Sequence, residues 1–254
     1  MTFLQALILG IVEGFTEFLP VSSTAHLLLA EKVMGLVLDE RMVTFTIAVQ
    51  LGSIAAAAIL YTQQFLSIRK VSVLILTLLP TIFAGVFVYP YIKTLFTHVL
   101  LIIPWTLIIG GILMLVGERK YSKKAPVEER ELTLKEKLVL GCAQTIALVP
   151  GVSRSAAMIV TGLFARFPRQ AVTSFTFILA VPTMFSATVY DVYKTHIPIE
   201  SIFSVSFTTG FITAFLVAVV SIRFMLFLVR TYTFVPFAWY RIFLGLSVAL
   251  FVYL

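Results

Sequence analysis

Eight long apolar stretches run along this chain, and they limit its fold more than any other feature. Six of them are long enough to cross a bilayer, since a spanning helix needs about 20 mostly apolar residues. These six cover residues 43–62, 71–90, 98–117, 171–190, 201–222 and 235–254. Sixty per cent of the 254 residues are hydrophobic, and the mean hydropathy is +1.05. The sequence therefore predicts an all-α polytopic membrane protein, because spanning helices satisfy their own backbone hydrogen bonds.

The other two apolar stretches, 3–29 and 138–165, are interrupted in the middle by polar residues, glycine and proline. Non-helical backbone is tolerated at membrane depth only where it is buried in protein or lines a cavity. We therefore predict two re-entrant helical hairpins in addition to six transmembrane helices.

The two interrupted stretches resemble each other at a spacing of 131 residues. The matching positions are Leu9-Gly10 with Leu140-Gly141, Glu13 with Gln144, and Val21-Ser22 with Val152-Ser153. Three spans separate the copies, so the second copy is reversed in the membrane, as in inverted-topology repeats. We predict one membrane domain, 1–254, with repeat 1 at about 1–117, a loop at 118–137 and repeat 2 at about 138–254.

Basic residues predict the orientation. Loop 118–137 contains seven of them, which places it in the cytoplasm by the positive-inside rule. The same layout puts thirteen basic residues on that side and four on the other, and it leaves Arg154 and Arg241 within membrane segments. The net charge of +7 is thus a topology signal rather than a sign of nucleic-acid binding. The single cysteine, Cys142, excludes an intrachain disulfide and a Cys-rich metal site.

Two carboxylates, Glu13 and Glu17, lie four residues apart in the first interrupted stretch. Helical spacing puts both on one face, and ionisable groups at membrane depth usually line a protein interior or a cavity. Such a pair shares a proton, holds a cation through oxygen, or divides base and orienting roles. Pro20 should end this helix near Leu19.

Ser22, Ser23 and Thr24 follow this break, where free N–H groups and hydroxyls can hold an anion. His26 comes next and can move a proton near neutral pH. Gln50, a polar residue inside a spanning segment, is either part of the binding site or a helix-packing hydrogen bond.

The second interrupted stretch contains Pro150-Gly151-Val152-Ser153-Arg154-Ser155. Pro-Gly breaks the chain, and Ser153 can cap the following helix. The N-terminus of a helix is an anion site, and Arg154 adds a bidentate donor suited to phosphate. Ser153, Ser155 and nearby N–H groups, including that of Gly151, would complete the anion pocket. An acid–base half and an anion-holding half together favour phosphoryl transfer to water.

These motifs, from Leu9 to Leu27 and from Pro150 to Ser155, closely resemble the bacterial undecaprenyl-diphosphate phosphatases of the bacitracin-resistance type. The resemblance extends to segments 45–53 and 175–182 and covers nearly the whole chain. Met158 stands where the family has threonine, and Ala25 where it usually has glycine. Met158 would remove a hydroxyl from the anion pocket.

The resemblance implies hydrolysis of undecaprenyl diphosphate to undecaprenyl phosphate and phosphate, which recycles the lipid carrier for cell-wall synthesis. It implies a multi-pass protein of the bacterial inner membrane, whose site opens outward and is assisted by Mg²⁺ or Ca²⁺ without an organic cofactor. The expected partners are the polyprenyl diphosphate and membrane lipid but not nucleic acid, and a homodimer is left open.

Catalytic roles are expected for Arg154 in offsetting phosphoryl charge, and for Glu17 and His26 as acid–base groups. Ser23 is either the nucleophile or a phosphate ligand. Glu13, with Glu17, holds the divalent cation or orients its neighbours. The competing hypothesis is a transporter or flippase for a phosphorylated polyprenyl lipid, because inverted repeats with broken helices are typical of transporters.

Overall fold

The computed structural model describes residues 1–36, 40–97, 99–123, 127–195 and 204–253, and every regular element in these ranges is helical. The helices are α1 (Phe3–Thr16), α2 (Ser23–Val33), α3 (Glu40–Leu60), α4 (Thr62–Phe65), α5 (Ile68–Thr97), α6 (Val99–Ser122), α7 (Leu134–Ala143), α8 (Arg154–Ala165), α9 (Arg169–Thr195), α10 (Val205–Thr231) and α11 (Val235–Tyr253). A short 3₁₀ helix, Gln144–Leu148, follows α7 directly. The prediction of an all-helical membrane protein is confirmed.

Five helices are long and apolar enough to cross a membrane: α5, α6, α9, α10 and α11. Each overlaps one of the predicted spans. The remaining predicted span, 43–62, overlaps α3, a helix of 21 residues. Many phenylalanines on these helices point outward; Phe83, Phe87, Phe243 and Phe251 are each more than 60% exposed. Such an apolar exterior is what a lipid-facing surface requires.

The two interrupted stretches fold alike, as a helix, a break and a second helix. α1 and α7 both begin after a threonine N-cap, Thr2 or Thr133, and these residues are 131 positions apart. Each threonine forms a capping box with the residue three positions later, Gln5 or Glu136. The capping motifs thus recur at the spacing that the sequence suggested.

Glycines let each first half-helix pack closely on a long helix from the other part of the chain. α1 packs on α10, where a Cβ on Gly10 would lie 2.8 Å from the Gly210 carbonyl oxygen. α7 packs on α5, where a Cβ on Gly141 would collide with the Thr77 backbone. This reciprocal exchange brings the two breaks into the same region of the molecule.

The connection between the halves is shorter than the predicted loop 118–137. α6 continues to Ser122 because Glu118 is buried, is ion-paired with Arg169, and accepts a hydrogen bond from the Phe234 N–H at 2.8 Å. α7 begins at Leu134. Residues 124–126 of this connection lie outside the described ranges.

Candidate active site

Both chain breaks end at a serine with an unusual backbone conformation. Ser22 has φ 73° and Ser153 has φ 71°, and each hydroxyl caps the helix that follows. A non-glycine residue with positive φ costs about 1–3 kcal/mol and usually persists where surrounding structure holds it. The predicted cap at Ser153 is confirmed. The first break comes earlier than predicted: α1 ends at Thr16 rather than near Leu19, with Glu17 as its C-cap.

The N-termini of α2 and α8 meet at the Glu17 carboxylate. Ser23, the first residue of α2, donates its hydroxyl to Glu17 Oε2 at 2.6 Å. Arg154, the first residue of α8, donates from Nη2 to Glu17 Oε1 at 3.3 Å. The first N–H groups of a helix lack intrahelical acceptors, so a carboxylate here lies where two helix ends favour an anion.

Backbone carbonyls hold the second break against the first. Arg154 Nη1 donates to the Thr176 carbonyl at 2.7 Å, which fixes the guanidinium on α9. The Ser155 hydroxyl donates to the Leu19 carbonyl at 3.0 Å and also lies 3.0 Å from the Ser153 hydroxyl. The Arg154 side chain is 11% exposed and that of Glu17 is 7% exposed. The ion pair is therefore weakly screened by solvent.

Glu13 is fully buried one helical turn before Glu17, and neither of its carboxylate oxygens has a hydrogen-bond partner. A buried carboxylate without partners is unfavourable, and free oxygens are the ligands that Mg²⁺ and Ca²⁺ prefer. Among the described residues there is no group of three or more His, Cys, Asp or Glu side chains that could hold a metal. Glu13 and Glu17, one helical turn apart, are therefore the two carboxylates of this cluster that could contribute ligands to a divalent cation.

His26 lies one turn into α2 and is held at both ring nitrogens. Nδ1 lies 2.7 Å from the Ser22 carbonyl, and Nε2 lies 2.6 Å from the Tyr240 hydroxyl of α11. The two rings stack with 5.6 Å between their centroids. His26 makes no hydrogen bond or ion pair with Glu17 or Arg154 in the described structure. Among the described residues the imidazole is therefore not part of the hydrogen-bonded Glu17–Ser23–Arg154 cluster.

The remaining predicted binding residues lie around this cluster. Thr24 is half-buried in the first turn of α2, and Gln50 is half-buried in α3. Neither makes a hydrogen bond to Glu17 or Arg154 in the described part of the chain. Gly151 has φ 86° and packs so closely on α6 that a Cβ would collide with Thr106, which accounts for a glycine at this turn.

Sequence reasoning missed Tyr240 and gave no role to Arg241. Both lie in α11, and Arg241 donates hydrogen bonds to backbone carbonyls of both breaks. An arginine inside an apolar span was itself a signal, but its target is backbone and no sequence pattern marks it. Met158 is fully buried in the larger hydrophobic cluster, together with Phe18 and Phe177, so it contributes packing behind the site.

The comparisons with known proteins show which family the chain belongs to. The family model described as bacitracin resistance protein BacA matches residues 6–247. The chain belongs to the BacA family. An undecaprenyl-diphosphatase of Persephonella marina (strain DSM 14350 / EX-H1) is 41% identical over 257 residues, covering 99% of this chain and 100% of the relative.

Two further relatives carry the same name. The undecaprenyl-diphosphatase of Sulfurihydrogenibium sp. (strain YO3AOP1) is 39% identical over 97% of this chain and 98% of its own length. That of Campylobacter hominis is 39% identical over 99% of this chain and 100% of its own length. The predicted family is therefore confirmed, and the similarity covers both broken segments of this BacA family member.

Proposed function

We propose that this membrane protein hydrolyses undecaprenyl diphosphate to undecaprenyl phosphate and inorganic phosphate, and so recycles the lipid carrier for cell-wall synthesis. The observation that carries the proposal is the Ser23–Glu17–Arg154 cluster, which joins an acid–base segment to an anion-holding segment. The relatives named undecaprenyl-diphosphatase, at 39–41% identity over nearly the full length, supply the substrate. Removal of the terminal phosphate also fits the bacitracin-resistance name of the family.

The diphosphate binds beside Glu17, between the N-termini of α2 and α8. Arg154 Nη2 exchanges its contact with Glu17 for one with the phosphoryl oxygens while Nη1 stays on the Thr176 carbonyl. The N–H groups at the starts of α2 and α8 also donate to the phosphoryl oxygens. Ser22, Ser153, Ser155 and Thr24 border this pocket, with Gly151 giving the backbone room to turn. Because the guanidinium is already anchored on Thr176, little reorganisation is needed as charge develops on the phosphoryl group.

In the proposed mechanism Ser23 acts as the nucleophile and Glu17 as its base. Its hydroxyl oxygen attacks the terminal phosphorus while the proton passes to Glu17, 2.6 Å away. The bond from that phosphorus to the bridging oxygen breaks, and undecaprenyl phosphate leaves with the electron pair. Water then attacks the phosphorus of the phosphoserine and loses a proton to His26. The bond from phosphorus to the serine oxygen breaks, that oxygen takes back the proton held by Glu17, and inorganic phosphate leaves. If substrate with a labelled terminal phosphate leaves no label on Ser23, then Ser23 is a phosphate ligand and water attacks the phosphorus directly.

His26 is the second acid–base group. Its Nε2 is engaged by Tyr240, so this hydrogen bond exchanges for one to a reacting oxygen or water when substrate is bound. Glu13 and Glu17 would hold a divalent cation, which would neutralise phosphoryl charge. Gln50 serves the same pocket from α3 as a binding residue.

The proposed topology has six crossings, namely α3, α5, α6, α9, α10 and α11, and two re-entrant pairs, α1–α2 and α7–α8. The excess of basic residues places the α6–α7 connection in the cytoplasm of a bacterial inner membrane, and the site opens outward. The reciprocal packing of α1 on α10 and α7 on α5 supports an inverted repeat. A homodimer is not required by this site, because one chain supplies Glu17, Ser23 and Arg154.

Phosphate release from a polyprenyl diphosphate by purified protein in detergent, with and without chelator, tests this proposal. The wild type should release phosphate, and Arg154→Ala should lower kcat at least about 100-fold because a preorganised donor is lost. Arg230→Ala is the matched control, since Arg230 is exposed at the end of α10. A folded wild type that binds the lipid but releases no phosphate would contradict the hydrolase.

One observation favours the alternative of lipid transport. A cavity of about 800 Å³ lies near the α6–α7 connection, with Arg69, Lys70 and Lys137 on its walls. Its lining includes Phe175, the neighbour of Thr176 that anchors Arg154. Transport of a fluorescent polyprenyl phosphate by reconstituted Arg154→Ala protein that no longer hydrolyses would establish this second activity.

A further inference from the structure

Arg241 is fully buried in α11 and bonds to both chain breaks at once. Nη1 donates to the Pro20 carbonyl at 3.1 Å, in the first break. Nη2 donates to the Val152 carbonyl at 3.0 Å and approaches the Gly151 carbonyl at 3.5 Å, in the second break. Nη2 also donates to the Thr106 carbonyl of α6 at 3.1 Å. One guanidinium therefore ties together segments more than 120 residues apart in sequence.

The partners of Arg241 are unusual for a buried cation. None of the ion pairs among the described residues involves it, so carbonyl dipoles alone compensate its charge. Burying a charge this way is expensive, and an apolar residue would normally be more stable at a packed helix interface. Three of the four carbonyls, those of Pro20, Gly151 and Val152, lie in the breaks outside regular helix, and the membrane interior offers no water to satisfy them.

Gly110 provides the space for this guanidinium. A Cβ at position 110 would collide with Arg241 Nη2, the far end of a flexible side chain. Gly110 lies in α6, which packs on α11, and it precedes Arg241 by 131 residues. It is therefore the counterpart of Arg241 at the repeat spacing. Two arginines could not occupy this volume. One repeat therefore carries the arginine, and the other carries the glycine that leaves room for it.

We propose that Arg241 is a positioning residue for phosphoryl transfer, which sets the distance between the two broken segments. Pro20 lies three residues before Ser23, and Val152 lies two residues before Arg154. Holding both carbonyls on one rigid planar group fixes the nucleophile-bearing turn relative to the phosphate-binding turn. A displacement of about 1 Å between such groups can lower a rate about 100-fold. The role of Arg241 in catalysis rests on the proposed hydrolysis, whereas its effect on the distance between the two broken segments does not.

The test displaces the guanidinium without removing it. Gly110→Ala pushes the Arg241 side chain off its carbonyls, whereas the control Gly85→Ala adds the same methyl group where nothing lies within 4 Å. Steady-state phosphate release and thermal melting are measured for both, together with Arg241→Lys, which keeps the charge but loses the planar fork. We expect Gly110→Ala to stay folded with KM within about twofold and kcat at least tenfold below Gly85→Ala. Arg241→Lys should behave like Gly110→Ala.

A second readout does not depend on catalysis. Nitroxides are placed at Phe15→Cys and Ile146→Cys, exposed positions close to the two breaks, in a Cys142→Ser background. Double electron–electron resonance spectroscopy should give a narrow distribution of nitroxide–nitroxide distances in the control and a broadened or shifted distribution with Gly110→Ala. An unchanged distribution, or kcat within twofold of the control, overturns the proposal. If the wild type releases no phosphate, the proposed function fails while the distance measurement still decides whether Arg241 holds the breaks together.

Discussion

The two broken segments have the same backbone and different chemistry. Both begin at a threonine capping box, both place a glycine against a distant helix, and both restart at a serine with positive φ. At matched positions 131 residues apart, however, the carboxylate Glu13 corresponds to the amide Gln144, and Ser23 corresponds to Arg154. The two segments therefore share one backbone arrangement and differ in their side chains. Those of the first segment have an acid–base role, and those of the second bind the anion.

This division explains why neither segment is an active site alone. The first segment contains carboxylates whose negative charge would repel a diphosphate. The second contains the cation and lacks a base near it. Only the contact of Ser23 and Arg154 on the same Glu17 carboxylate combines both functions. Changes that make the first segment more like the second should therefore lower activity.

Glu17→Gln should have the largest effect, because it removes the proposed base and the anionic partner of Arg154. We expect kcat to fall about 10³-fold, within the usual range for general base catalysis. Leu148→Gln places an amide at the matched position of the second segment and should keep at least half of the wild-type rate. Phosphate release in detergent measures both. A folded Glu17→Gln protein with near-normal turnover would remove Glu17 from the mechanism.

Ser23→Ala should lower kcat about 100-fold or more, since the hydroxyl closest to the base is lost. Ser72→Ala, which removes an exposed hydroxyl bonded only to its own helix, is the control. Quenching the wild type with labelled β-phosphate substrate should leave label on the protein, and Ser23→Ala should leave none. Turnover within threefold of wild type would show that Ser23 is dispensable.

Glu13→Gln copies the second segment into the first. We expect about a tenfold loss of kcat and a weaker response to added Mg²⁺, because one carboxylate ligand of the proposed cation is lost. Stability should not fall, since a neutral amide replaces a buried carboxylate without partners. An unchanged Mg²⁺ titration would contradict the metal role, and Glu13 would then only orient Glu17.

Gly10→Ala and Gly141→Ala test the close packing of each first half-helix on a distant helix. Each adds a methyl group against backbone of a neighbouring helix, and overpacking typically costs about 1–3 kcal/mol. Thermal melting should show both variants below wild type, with Gly85→Ala unchanged. If only one glycine is sensitive, the two half-helices do not dock in equivalent ways.

The two capping boxes should differ in their response to pH, because Glu136 is ionisable and paired with Arg130 whereas Gln5 is neutral. Gln5→Ala and Glu136→Ala should each lower the free energy of unfolding by about 0.5–1 kcal/mol at pH 7. Hydrogen bonding from Arg130 lowers the pKa of Glu136 from 4.5 to about 2. Its contribution is complete above pH 4.5 and is lost as the pH falls toward 2. Melting curves should therefore show the Glu136→Ala penalty shrinking over this range and the Gln5→Ala penalty staying constant.

Much of the fold was predictable from local pattern. The lengths of the apolar stretches predicted the long helices. Pro150 and the serines that follow it predicted the second break. Element ends were less predictable: α1 ends at Thr16, three residues before the expected Leu19, and α6 continues past Gly117. In the second case the cause is the burial and ion pairing of Glu118, which involve residues distant in sequence.

The sequence by itself determined the membrane class, the family, and the residue types that phosphoryl chemistry needs, because these depend on composition, spacing and local motifs. The tertiary structure decided which groups meet. Glu17 lies between Ser23 and Arg154, His26 is engaged by Tyr240, and Arg241 binds carbonyls of both breaks. These contacts join positions up to 221 residues apart. Backbone carbonyls look the same at every residue, so only the packed helices reveal which of them an arginine will hold.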